Sequence, residues 1–147
     1  MNRQRKLRSV LLVHADQEFL GLASIVLSAM GNLYVHTCRS GQQALTIVGN
    51  LMPDLILLDA ALPDIDGVPV LAELRKLPFN ADMPLMLIKD KVSETDNRAY
   101  RTSPGVIGIV ERPAEALLLA ELVLQKCEEY MARTAAIPAL PTKQARA

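Results

Sequence analysis

The sequence has few aromatic residues, few cysteines and no excess of charge of either sign. Its 147 residues include no tryptophan, two phenylalanines and three tyrosines, so aliphatic side chains must fill most of any core. The two cysteines, Cys38 and Cys127, lack the close spacing of metal ligands and are expected to be reduced packing thiols. Sixteen basic residues balance sixteen acidic ones, which argues against nucleic-acid binding by the domain as a whole.

Long apolar runs are also missing. No stretch approaches the roughly 20 apolar residues of a membrane-spanning helix. The basic residues 1–8 precede a short apolar run that ends at His14, so they have the charge of a signal peptide without its apolar core. We therefore expect a cytoplasmic protein with no membrane partner. Residues 1–8 would form a basic extension, residues 9–133 the folded domain and residues 134–147 a disordered tail.

Five short apolar segments alternate with five helical patterns. Strands are predicted at residues 9–13, 33–37, 55–58, 85–88 and 106–110. Helices are predicted at residues 17–28, 40–50, 69–77, 93–101 and 114–133, the first with Asp16 as its N-cap. This alternation predicts an α/β domain with a parallel sheet that is covered by helices on both faces.

The most informative stretch is residues 53–67, which read PDLILLDAALPDIDG. Four consecutive apolar residues end at Asp59, and a run this short between proline and aspartate predicts a strand buried on both faces. Asp59 would then lie at the carboxyl end of the strand, where open parallel sheets place their chemistry.

This stretch resembles the phosphoacceptor strand and loop of response-regulator receiver domains, the modules of two-component (phosphorelay) signal transduction. The family pattern of P-D, four apolar residues, D, two residues, L-P, two residues and D-G matches position by position. The resemblance extends over roughly residues 9–133. It implies a flavodoxin-like (βα)5 fold with strand order 2-1-3-4-5, and it makes Asp59 the position that is phosphorylated in ordinary members.

The first strand is followed by residues that differ from the family pattern. Ordinary receivers have two acidic residues there, which together with the acceptor aspartate bind a cation such as Mg²⁺. Here His14 and Ala15 stand at those positions, and Asp16 comes one place later. Because Mg²⁺ prefers oxygen ligands, we expect weak or absent Mg²⁺ binding and no other cofactor or metal. We expect His14 to lie at the rim and hydrogen-bond to a neighbour.

The positions that transmit the signal in the family also differ. Lys89 stands where receivers have threonine or serine, and Ile109 stands where they have an aromatic residue. Arg112 and Pro113 replace a Lys-Pro pair that has a cis peptide bond in the family. We hypothesise that Lys89 or Arg112 pairs with Asp59 and takes the place of the metal ion, and we expect no conventional switch.

The last predicted helix carries two leucines outside its core-facing stripe. Leu118 and Leu122 lie one turn apart on a side that is otherwise charged. Scattered exposed leucines are ordinary. The alternative is a contact with a second copy or another partner, which the resemblance supports because receivers often associate through this helix.

The sequence thus predicts a stand-alone receiver module that is not an enzyme and acts mainly through protein–protein contacts. Its partners would be a histidine kinase or a downstream effector, with a homodimer also possible. The alternative is a functional phosphoacceptor that a histidine kinase phosphorylates on Asp59.

Two other classes of function are less well supported. Residues 64–68 resemble the D-x-D-G-T/V motif of haloacid-dehalogenase-type phosphatases, but the apolar strand has already ended at Asp59. A flavin or nucleotide binder would need a glycine- or serine-rich loop after the first strand, and residues 14–18 lack one.

Overall fold

The computed structural model describes residues 7–59, 62, 67–76, 83–91, 93–95, 98, 105–111 and 116–136. Its five strands are β1 (Ser9–Val13), β2 (Tyr34–Cys38), β3 (Leu55–Asp59), β4 (Leu85–Lys89) and β5 (Val106–Glu111). All neighbouring strands pair in parallel, in the order β2-β1-β3-β4-β5. The predicted fold class and strand order are therefore confirmed.

Four helices are described: α1 (Gln17–Gly31), α2 (Gly41–Leu51), α3 (Gly67–Lys76) and α4 (Ala116–Ala136). Helix α1 extends three residues beyond its predicted end at residue 28. Its C-cap is Asn32, a left-handed residue whose backbone N–H donates to the carbonyl of Ser28. Helix α4 continues three residues into the predicted tail, where alanines favour helix and no proline intervenes. The predicted helix at residues 93–101 falls largely outside the described residues.

The core occupies both faces of the sheet. On one face, β-strand side chains such as Leu12, Leu57 and Met86 pack with α1 and α4, and all three are fully buried. On the other face, Leu11 and Ile56 belong to a second cluster that includes side chains of α2 and α3. The continuous apolar strands β1, β3 and β4 are thus buried from both sides, as their sequences predict.

None of the described helices is both long enough and apolar enough to cross a lipid bilayer.

Gly105, which precedes β5, adopts a positive φ of 79°. A Cβ atom there would clash with Nη2 of Arg75 and would lie 2.8 Å from the carbonyl oxygen of Met83. We expect Gly105→Ala to lower the free energy of unfolding by about 2–3 kcal/mol, since left-handed backbone and a backbone clash both oppose the new side chain. Urea unfolding measures this change.

Gly21→Ala in α1 is the matched control for Gly105→Ala. A Cβ atom at Gly21 would meet nothing within 4 Å, and helical backbone favours alanine. This variant should gain about 0.5–1 kcal/mol in dilute solution. Equal losses of stability in the two variants would contradict the backbone geometry described for Gly105.

Cys38 and Cys127 are buried thiols that are not joined in a disulfide, as predicted. Burial raises the pKa of the Cys127 thiol from 9.0 to about 12. The native thiol should therefore react slowly with thiol reagents at about pH 8, because the thiolate is the reactive form. Mass spectrometry of native and urea-unfolded protein tests this, and rapid labelling of native Cys127 would contradict it.

The same thiol has a consequence for stability at alkaline pH. The pKa of this thiol is higher in the folded chain than in the unfolded chain. Its contribution to the free energy of unfolding is therefore intact below pH 9.0 and is lost as the pH rises to about 12. A Cys127→Ala variant should accordingly lose less stability than the unmodified chain over this range.

Candidate functional site

The candidate site lies where β1 and β3 end at the carboxyl edge of the sheet. Val13 pairs with Leu58 in the register of these strands, so the residues that follow, His14 and Asp59, lie side by side. Nε2 of His14 is 3.4 Å from Oδ2 of Asp59. The His14 side chain is 3% exposed and that of Asp59 is 14% exposed. The acceptor-position carboxylate is thus in contact with a buried imidazole.

Three further contacts fix the orientation of His14. Its Nδ1 accepts a hydrogen bond from the backbone N–H of Asp16 at 3.1 Å, and its ring packs against Phe19 with centroids 4.4 Å apart. The backbone N–H of His14 donates to the carbonyl of Cys38. A ring nitrogen that accepts a hydrogen bond carries no proton, so the neutral imidazole has its proton on Nε2. His14 therefore presents an N–H group to the carboxylate of Asp59.

Asp16 is the N-cap of α1, as predicted from the sequence. Its Oδ1 accepts hydrogen bonds from the backbone N–H groups of Glu18 and Phe19. This arrangement satisfies two of the N–H groups that a helix leaves unpaired at its start. The carboxylate of Asp16 is consequently engaged with its own helix.

Arg39 is a residue of this edge that the sequence analysis missed. Its Nε and Nη2 donate to the carbonyl oxygen of Ala15 at 3.2 and 3.1 Å, and its Nη1 donates to the side chain of Gln17 at 3.4 Å. Arg39 directly follows β2, the neighbour of β1, and that position was the available signal. The guanidinium connects the loop after β2 to the loop after β1.

Few side-chain ligands for a metal ion lie close together in the part of the chain that the structure describes. No three histidine, cysteine, aspartate or glutamate side chains there are grouped closely enough to hold one. Ala15 offers no side-chain donor, and its carbonyl oxygen already accepts from Arg39. Mg²⁺ is usually held by one or two carboxylates together with several waters, and the two residues that follow β1, His14 and Ala15, supply no carboxylate.

The other predicted site positions lie at the ends of β4 and β5. Lys89 is half-buried and pairs in register with Glu111, whereas Ile88 is the register partner of Asp59. The predicted ion pair between Lys89 and Asp59 stays a prediction. Ile109 is half-buried and packs against the core cluster on the α2 and α3 face. Arg112 and Pro113, with the predicted cis bond, lie outside the described residues, as do Asp64 and Asp66 of the phosphatase-like motif.

The two leucines of the last helix differ in exposure. Leu118 is 47% exposed, as predicted, but Leu122 is partly buried against the core on the α1 and α4 face. The prediction that both are exposed is therefore wrong for Leu122. It lies four residues after Leu118, at a position on α4 that reaches the core cluster. A partner contact at Leu118 and Leu122 stays a prediction.

Two comparisons with curated proteins cover most of the chain. It is 27% identical over 118 residues to the "Uncharacterized 14.6 kDa protein in sodA1 3'region" of Leptolyngbya boryana, covering 80% of this chain and 88% of that protein. It is 33% identical over 103 residues to the DNA-binding dual master transcriptional regulator RpaA of Synechocystis, covering 65% of this chain. The match spans 42% of the length of RpaA, so it concerns only part of that regulator.

Solved structures share the fold at low sequence identity. The chemotaxis response regulator CheY4 of Vibrio cholerae has a TM-score of 0.73 at 18% identity, with 82% of this chain and 98% of CheY4 covered. A putative response regulator from Chloroflexus aurantiacus has a TM-score of 0.69 at 22% identity, with 87% and 100% covered. Residues 10–123 match the family model of the response regulator receiver domain. The chain therefore belongs to the response regulator receiver domain family.

Proposed function

We propose that this chain is a receiver module in which His14, instead of a bound metal ion, holds the Asp59 carboxylate, and which acts mainly through protein–protein contacts. The observation that carries this proposal is the 3.4 Å contact between Nε2 of the buried His14 and Oδ2 of Asp59. The orientation of the His14 ring supports the proposal, since its Nδ1 accepts from the backbone N–H of Asp16 and the ring proton is therefore on Nε2.

The electrostatics of the edge support a site without Mg²⁺. Three clustered carboxylates repel one another by about 4 kcal/mol per pair at ~4 Å and an effective dielectric of ~20, and a divalent cation offsets that repulsion. Here a neutral imidazole and a methyl group replace two of the acids and Asp59 remains, whereas the carboxylate of Asp16, one place later, caps α1. Within the described residues, His14 and Ala15 offer no carboxylate to Mg²⁺, and Asp59 is not part of a group of three that could hold a metal ion.

The same arrangement opposes rapid phosphorylation of Asp59. Phosphoryl transfer depends on positive charge that stabilises the phosphoryl oxygens, and a metal ion ordinarily supplies much of it. A neutral N–H from His14 supplies less. We propose that Lys89 and Arg112 contribute the positive charge near Asp59. Lys89 and Ile109 also lack the hydroxyl and the aromatic ring of the conventional readout.

This module would signal without being an enzyme, and its partner would be a histidine kinase or a downstream effector. The match to part of RpaA, whose name describes a DNA-binding regulator, concerns the receiver portion only and supports no nucleic-acid contact here. The two buried, reduced cysteines are in keeping with the cytoplasmic location predicted from the sequence.

Treatment with phosphoramidate or acetyl phosphate at millimolar Mg²⁺ tests the proposal. We expect intact-mass spectrometry to detect little or no phosphoryl adduct, because His14 and Ala15 stand at the positions where two acids would hold the metal ion that assists phosphoryl transfer. Asp59→Asn is the matched control, since it removes the acceptor oxygen and keeps the shape of the side chain. A near-stoichiometric adduct that Asp59→Asn abolishes would overturn the proposal and establish the alternative, a functional phosphoacceptor.

A further inference from the structure

Helix α1 has an exposed face without charge at its centre. No charged residue occurs between positions 19 and 31, and the two large side chains of this face, Leu22 and Ile25, are 55% and 66% exposed. The opposite face of the helix packs into the core through Phe19, Ala23 and Leu27. Apolar side chains this exposed, next to one another on one helix, indicate a contact surface.

The exposed positions on the side of α1 that is centred on Ile25 lie at equal spacings before and after that residue. They are Glu18, Gly21, Leu22, Ile25, Ser28 and Ala29, followed by the cap residue Asn32, whereas the exposed Gln17 and Met30 lie outside this face. If a second copy packs antiparallel with its twofold axis at Ile25, Leu22 lies opposite Ser28 of the second copy. Gly21 likewise lies opposite Ala29 of that copy. Leu22 then meets the smaller Ser28, and the two Ile25 side chains meet each other at the axis, so the same patch on both copies forms the contact, as a twofold arrangement requires.

Gly21 has no explanation within a single chain. A Cβ atom there would meet nothing within 4 Å, and glycine inside a helix is less stable than alanine. The distance between packed helices depends on the side chains at their contact, so a glycine opposite Ala29 of a second copy permits close approach.

The charges at the two ends of the face are complementary in the same arrangement. Glu18 is exposed in the first turn of α1. At the other end, the exposed Arg8 lines a surface depression together with Gly31 and Asn32. The antiparallel arrangement brings Glu18 of one copy toward Arg8 of the other, and the twofold axis makes this pair occur twice. A parallel pairing would instead bring like charges together.

We propose that two copies of this chain associate through α1 in an antiparallel, twofold arrangement centred on Ile25. The contact is independent of the state of Asp59 and of the proposed function, since none of its residues contacts that carboxylate in the described part of the chain. It also differs from the contact predicted for Leu118 and Leu122 on α4.

Sedimentation equilibrium of the full chain from about 1 µM to about 1 mM tests this proposal. We expect a monomer–dimer equilibrium that Ile25→Glu weakens at least tenfold, because two buried carboxylates would face each other at the axis. Thr46→Glu is the control and should leave the equilibrium unchanged, since this exposed position lies on α2 at the opposite face of the sheet, whereas Leu118→Glu tests the contact predicted on α4. A wild-type chain that stays monomeric throughout would overturn the proposal, and so would dissociation by Leu118→Glu but not by Ile25→Glu.

A charge exchange tests the antiparallel arrangement separately. Glu18→Arg and Arg8→Glu should each weaken association, and the double variant should recover it, with the effect decreasing as salt is added. Both side chains are exposed, so neither change should unfold the chain, and circular dichroism verifies this. If the double variant associates no better than the single variants, the antiparallel arrangement is wrong.

Discussion

Replacing His14 and Ala15 with aspartate should make the stability of this chain depend on Mg²⁺. The two new carboxylates would lie beside Asp59, and each pair at ~4 Å repels by about 4 kcal/mol at an effective dielectric of ~20. Without metal, the double variant should therefore unfold more easily than the wild-type chain. Mg²⁺ at about 100 times its dissociation constant should return roughly 2.7 kcal/mol, because it binds only the folded state.

Thermal unfolding with and without millimolar Mg²⁺ measures this effect. The matched control replaces His14 and Ala15 with asparagine, which has the size of aspartate without its charge and should respond little to the metal. Equal stabilisation of the wild-type chain by Mg²⁺ would contradict the proposal that His14 takes the place of the ion. A double aspartate variant that is indifferent to Mg²⁺ would contradict the assignment of these positions to the site.

Leu57→Ala should be the most destabilising of the simple truncations. Leu57 is fully buried in the central strand β3 and lies in register between Leu12 of β1 and Met86 of β4, which are also fully buried. Truncation removes apolar contacts and leaves a cavity that strands on both sides prevent from closing. A loss of about 3–5 kcal/mol is expected, which is a large part of the ~5–15 kcal/mol that stabilises a typical domain.

Urea unfolding provides the measurement, with the slope of the transition as a check that the unfolded states are comparable. Leu118→Ala is the control because that side chain is 47% exposed, and its effect should stay within about 0.5 kcal/mol. Similar losses for the two leucines would mean that β3 is not the centre of the core.

The alternation of apolar runs with helical patterns was sufficient to predict the parallel sheet, and the family resemblance supplied its strand order. Local details at chain reversals were less predictable. Leu33 was assigned to the second strand because it is apolar, but the ladder begins at Tyr34, which pairs with Ser9. The burial of Leu33 comes from packing in the core cluster that includes α1. Hydrophobicity alone does not distinguish a buried loop residue from a strand residue.

The site was predictable in its membership and less so in its contacts. His14 and Asp59 are both expected from the sequence to line it, and the pairing of Asp59 with Lys89 or Arg112, which is expected on the basis of charge, stays a prediction. The contact with His14 follows from the register of β1 and β3 and from a ring orientation set by Asp16 and the core. These depend on packing between segments far apart in the chain, which a pattern of residue types does not encode.

The guanidinium of Arg39, which donates twice to the carbonyl of Ala15, has a mechanical consequence. These hydrogen bonds connect the loop after β2 to the loop after β1 and restrict the motion of one loop relative to the other. A partner that recognises this edge of the sheet would meet a preorganised surface and would lose little conformational entropy on docking. Recognition here would then be governed by the abundance of the partner and of this chain, and not by a chemical signal that first brings the loops together.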